Sequence, residues 1–168
     1  MKIERYKIKD WEEEELGVFL DENEEWILVK SIPVDFQVDG YKLIKKEYIE
    51  ERIADENPVL QKVLELKNLT FENPENFDFK STIEFLKWVE EKYGCFEFQD
   101  EIEDELFYGI LKEVNKESFY IDSITSKGTI DLDFDVEFSI KDVRVVSFGS
   151  DYFNSISLLY NYNKRKLS

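Results

Sequence analysis

The chain writes one pattern twice, and that duplication limits what it can fold into. Residues 15–32 read ELGVFLDENEEWILVKSI and residues 107–124 read FYGILKEVNKESFYIDSI. A shift of 109 − 17 = 92 positions sets Gly17 on Gly109, Asn23 on Asn115, Glu25 on Glu117 and Ser31-Ile32 on Ser123-Ile124. Each copy reads as two strands with a turn between them. In the first copy the turn falls at Asp21-Glu22-Asn23-Glu24, where asparagine tolerates left-handed backbone and bonds its own turn. Six positions of the twenty-one in 12–32 are identical between the copies, so the repeat is one of pattern more than of residue identity.

Around the copies the hydrophobic period changes. Residues 1–54 read as strands, from Ile3, Tyr6 and Ile8 through the hairpin to the tight-turn signal Asp39-Gly40, then Tyr41-Lys42-Leu43-Ile44 and the group Tyr48-Ile49 with Ile53. Residues 55–94 shift to helical spacing. Asn57-Pro58 supplies an N-cap and first helical position ahead of Val59, Val63 and Leu66. In STIEFLKWVEEKYG, Ser81 and Glu84 make a capping-box pattern and Gly94 stands at the C-terminal cap. Residues 95–168 return to strands (CFEFQ, FYGILKEV, SFYIDSI, TIDLDFDVEFSI, DVRVVSFG) before Tyr152, Ile156 and Leu159 mark a C-terminal helix. The expected class is α+β: a β-barrel-like unit at 1–54, a helical connector at 55–94, and a second unit with its helix at 95–168. Closing each small five-stranded sheet would hide its edges.

The stretches GVFLDENEEWILVK and GILKEVNKESFYID resemble the opening strands of Sm-like and SH3-like barrels. IKDVRVVSFG is similar to the closing strand of uncharacterised bacterial proteins with tandem barrels of this kind. The resemblance covers both β segments and implies an SH3/Sm-like antiparallel barrel in each. Sm-like RNA binders carry an Arg/Lys-Gly pair in their second motif. Neither copy has one in a matching place, so RNA binding is not carried over.

Charge and composition exclude more than they assign. Acidic residues number 39 against 22 basic ones, a formal charge of −17. Phosphate backbones and anionic membranes repel such a surface, so neither nucleic acid nor membrane is expected as a partner; a basic protein is. There is no histidine, which removes histidine bases, Ser-His and Cys-His pairs and histidine metal sites together. Cys95 is the one cysteine, so neither an intrachain disulfide nor a Cys/His zinc site can form. The six glycines are isolated, giving no phosphate loop, and no cofactor is expected. The opening MKIERYKIKDWEEEE lacks the apolar core of a signal peptide, which points to a cytoplasmic protein.

Two groups of residues stand out as candidate partner-binding surfaces. Trp11 with Glu12, Glu13, Glu14 and Glu15 precedes the first repeated strand, as DEIEDEL at 100–106 precedes the second. In DLDFDVEF, period-2 alternation puts Asp131, Asp133, Asp135 and Glu137 on one face of an expected strand and apolar residues on the other. The stretch also brushes the EF-hand pattern, but Val136 stands where that loop needs glycine. No catalytic or metal residue is assigned. The expected function is a non-catalytic acidic protein-binding module, in its sharpest form an immunity-type inhibitor that caps a basic toxin or nuclease. A scaffolding subunit, a mimic of DNA charge and a carboxylate-based hydrolase are the alternatives.

Overall fold

The computed structural model describes residues 1–167. Strands β1 (Ile3–Ile8), β2 (Glu14–Glu22), β3 (Trp26–Ser31), β4 (Tyr41–Lys45) and β5 (Ile49–Ala54) come first, then helices α1 (Pro58–Leu66) and α2 (Thr82–Tyr93). Strands β6 (Phe96–Gln99), β7 (Phe107–Val114), β8 (Ser118–Ser123), β9 (Glu137–Ser139) and β10 (Val145–Phe148) follow, and α3 (Asp151–Leu167) ends the described chain.

The matched stretches fold into hairpins of one register. Gly17 pairs with Ser31 and Gly109 with Ser123, and each hairpin carries a register shift at the matched place, between Phe19 and Asp21 and between Leu111 and Glu113. Both turns close alike: Asn23 N–H donates to Trp26 O and Asn115 N–H to Ser118 O. The preceding strands match too, with Glu4 opposite Gly17 and Phe96 opposite Gly109. The glycines are required by packing. A Cβ on Gly17 would lie 2.8 Å from the Val29 Cβ, and one on Gly109 would lie 2.6 Å from Asp122 O.

Strand order is β5-β1-β2-β3-β4-β10-β6-β7-β8-β9, so the sheet is two runs of one five-strand order laid edge to edge. This corrects the expectation of two closed barrels joined by a helical middle. The outer edge of β4 pairs antiparallel with β10, Ile44 opposite Val145, which makes one open ten-stranded sheet. The outer edges are β5, where Glu50 and Glu51 are exposed, and β9, only three residues long; charge and shortness both discourage edge pairing.

The helical segment covers the sheet. Phe85, Leu86 and Val89 of α2 are buried against Trp26, Leu28 and Leu43 from the first run and Phe96, Phe98, Phe119, Val146 and Phe148 from the second, so both runs share one core. Asn57 caps α1 by accepting from the backbone N–H groups of Val59 and Leu60, and Leu60 and Leu64 pack on Ile3, Val18 and Ile32. The α2 capping box is half made: Ser81 Oγ donates to the Glu84 carboxylate at 2.8 Å and caps no N–H. On the opposite sheet face, Tyr6, Ile8, Trp11, Ile27, Val29, Ile44 and Val145 form one apolar group, while Cys95, Ile124, Phe153 and Ile156 form another under α3. No helix among the described residues is long and apolar enough to cross a membrane.

Because the two hairpins are built alike, Gly17→Ala and Gly109→Ala should each destabilise the fold by about 1–3 kcal/mol, the usual cost of overfilling a packed site. Urea unfolding of each variant checks this. No change at either position would mean that the hairpins relax around the added methyl.

Candidate functional site

Register across the four central strands assembles the site. Lys42 of β4 stands opposite Ser147 of β10, Ser147 opposite Glu97 of β6, and Glu97 opposite Tyr108 of β7. Neighbouring strands lie about 4.8 Å apart, so these four residues form a line of roughly 14 Å across the sheet. Alternation sends Leu43, Val146, Phe148, Phe96 and Phe98 into the core under α2 and leaves the polar row on the other face, between the two apolar groups. There it lines a cleft of about 830 Å³.

The rim of the cleft is acidic. Residues 12–15, leading into β2, form one wall, and the segment around 102–106, leading into β7, forms another. The two segments are tied to each other: the Glu103 carboxylate accepts from Glu12 N–H at 2.7 Å and from Glu13 N–H at 2.9 Å. Asp39 closes a third side, its carboxylate accepting from Asp151 N–H at the start of α3. Among the described residues eight carboxylates line the cleft: Glu12, Glu13, Glu14, Glu15, Asp39, Glu97, Glu103 and Asp104. Lys42 is the one basic side chain among the described residues that line it, and its Nζ is held by Glu15 at 2.5 Å. Tyr152 and Phe153 of α3 add an aromatic corner beside Tyr108, at 5.8 Å and 5.3 Å between ring centroids.

Glu97 is the most buried of these carboxylates, 6% exposed. Burial pushes its carboxyl above the ordinary carboxylate range; the hydroxyls of Tyr108 and Ser147 and the charge of Lys42 pull the other way, and the charge of Glu15 adds to the rise. Burial and the neighbouring Glu97 also raise the Tyr108 phenol, which keeps it protonated and able to donate. Ser147 is likewise 6% exposed; its hydroxyl stands beside the carboxyl yet has no partner at hydrogen-bond geometry. Gln99, two residues along β6 on the same face, also lines the cleft and donates from Nε2 to Glu103 O. The arrangement suits a cation: an acidic mouth, an aromatic corner, and a buried carboxyl flanked by two hydroxyls.

The residues singled out from sequence divide. Glu12, Glu13, Glu14 and Glu15 line this cleft. Trp11 lies in the core beside Tyr6 and Ile8, 3% exposed, rather than on the surface. Asp131, Asp133 and Asp135 lie outside the cleft, in a turn before β9 rather than on a strand, and Glu137 opens β9 and lines a separate, smaller cavity. Asp131 Oδ1 accepts from Asp133 N–H and Asp131 O from Phe134 N–H, a local turn that breaks the alternation and leaves Leu132 90% exposed. Sequence reasoning missed Lys42, Glu97, Gln99, Tyr108 and Ser147. A signal was available in CFEFQ, where an acid and an amide alternate with phenylalanines. It reads as a half-solvated strand unless the strand is known to be central. Among the described residues no group of acidic and sulfur ligands gathers to hold a metal ion. Comparison with known proteins finds no match at a significant level among family models, curated proteins or solved structures.

The raised carboxyl carries a pH signature. The folded state keeps the Glu97 proton to higher pH than the unfolded chain, so this group's contribution to stability is complete at low pH and falls as pH rises through its folded-state pKa. Glu97→Gln removes that dependence. Relative to wild type, the variant should gain stability as pH rises from 4.5 toward 7.5, measured by chemical unfolding at several pH values. A pH-independent difference would show that Glu97 titrates normally.

Proposed function

We propose that the protein is a non-catalytic acidic binding module that takes a basic protein into the central cleft; in its sharpest form it is an inhibitor that caps a basic toxin or nuclease. The observation that carries this reading is convergence. Two acidic segments that precede equivalent strands, about ninety residues apart in sequence, are joined through Glu103 at the mouth of one cleft whose floor holds a buried carboxyl. A cleft lined by one sign of charge focuses its field and speeds the encounter with a partner of the other sign. The burial of Trp11 and the turn at 131–134 concentrate the reading on the cleft.

One observation favours a second reading. A carboxyl whose hold on its proton is strengthened by burial in a cleft is what a general acid needs in glycoside hydrolysis. That chemistry also needs a second, ionised carboxylate open to substrate or water. The cleft carboxylate that raises Glu97, Glu15, is engaged by Lys42, so that second group would have to come from the rim.

Immobilised protein should retain, from lysate of its own source treated with nuclease, a basic protein that a salt ramp releases. With that partner purified, the combined change Glu12→Gln, Glu13→Gln, Glu14→Gln and Asp104→Asn should slow association about tenfold or more at low salt. The matching change of Asp131, Asp133, Asp135 and Glu137 should leave it within about twofold, since those groups lie away from the cleft. Equal effects of the two sets, or a larger effect of the second, would contradict the cleft as the docking site.

A further inference from the structure

Among the described residues three acidic side chains are buried, and one of them is treated differently. Glu4, 3% exposed, is met by Arg52 at 2.9 Å and Lys2 at 2.6 Å. Asp55, 6% exposed, is met by the Arg5 guanidinium at 2.6 Å. Burial alone would raise both carboxyls, but hydrogen bonds and cations outweigh it and hold them below their ordinary values. Glu97 is buried as deeply as Asp55, yet among the described residues no ammonium or guanidinium lies at ion-pair distance from it; Lys42, opposite Ser147, is taken by Glu15. A buried carboxylate is costly without a cation beside it, and this one has only the Tyr108 and Ser147 hydroxyls next to it where it lines the cleft.

We propose that the cleft floor is a socket for one arginine side chain of the partner protein, its guanidinium bonded to the Glu97 carboxylate and the Ser147 hydroxyl and stacked against Tyr108. This deepens, and rests on, the reading of the cleft as the site of a basic partner. Arginine fits better than lysine for three reasons. Its planar fork bonds a carboxylate through two N–H groups and leaves donors for Ser147 Oγ. It stacks on aromatic rings, and Tyr108 and Tyr152 both line the cleft. It is also less strongly hydrated than an ammonium, so it enters a buried position at lower cost. The groups facing Glu97 are Tyr108 from β7, Ser147 from β10, Lys42 from β4 and Glu15 from β2. The arrival of a cation favours the ionised form of Glu97, so docking releases a proton at pH values where the free carboxyl is still partly protonated.

The test is calorimetric titration with three pentapeptides: Lys-Lys-Arg-Lys-Lys, the same peptide with lysine at the centre, and the same with uncharged citrulline. The arginine peptide should bind wild type about tenfold tighter than its equally charged lysine counterpart, the difference expected when a bidentate pair replaces a point charge. It should also release part of a proton, read from the buffer dependence of the heat. Glu97→Gln should bring the two peptides to within about twofold of each other, and Ser147→Ala, which keeps the carboxylate, should shrink the preference by a smaller factor. Equal affinity of the two peptides for wild type would overturn the socket, as would an arginine preference that survives in Glu97→Gln. If Glu97→Gln loses its near-ultraviolet circular dichroism, Ser147→Ala and the wild-type comparison decide. Failure of the broader reading looks different: none of the charged peptides then binds wild type saturably, whereas a failed socket leaves equal binding that the rim variant Glu12→Gln, Glu13→Gln, Glu14→Gln, Asp104→Asn still weakens.

Discussion

The pairing of β4 with β10 is the contact on which the rest of the structure depends. Each five-strand run has two outer edges, and joining one from each makes a single sheet from two. The junction lets α2 bury one core across both runs, and on the other face it brings Lys42 and Ser147 into line with Glu97 and Tyr108. Without it the acidic segments before β2 and β7 would belong to separate objects. With it, Glu103 reaches the backbone N–H groups of Glu12 and Glu13 and the two segments become one rim.

A net charge of −17 strains any compact fold through self-repulsion, and this chain compensates locally. At the outer end of the first run, Arg52 bridges Glu4 and Glu22 while Lys46 holds Glu22, so that cations there sit among anions. Arg144, nearly buried, turns toward Asp10 and the ring of Tyr48. The central cleft is the exception: it gathers eight carboxylates and one lysine. A protein that gives its other buried acids a cation leaves Glu97 with hydroxyls alone where it lines the cleft, and that contrast carries more weight than the overall acidity.

Local structure was legible in the residues wherever short-range chemistry decides it. Glycine and asparagine at matched spacing marked both hairpins, Asn57-Pro58 marked the start of α1, and Gly94 the end of α2, where its backbone is left-handed. Closure of the sheet was not legible, because nothing in Tyr41–Lys45 says whether its edge meets a strand of its own run or β10 of the other. DLDFDVEF was misread because alternation imitates a strand, while Asp131 at the head of an Asx turn makes a loop. Half of the site, the acidic segment at 12–15, was visible as a charge run. The other half, Glu97 with Ser147 and Tyr108, was hidden in ordinary alternating strands that became central only through the β4–β10 junction.

The most direct measurement is the carbon-13 resonance of the Glu97 side-chain carboxyl, assigned by its loss in Glu97→Gln and followed from pH 3 to pH 9 with and without the arginine-centred pentapeptide. In the free protein the carboxyl should titrate above the ordinary glutamate range, and it should drop back into or below that range when the peptide is bound. A Glu97 titration unmoved by saturating peptide would mean that the buried carboxyl takes no part in binding, and would contradict the account at its centre.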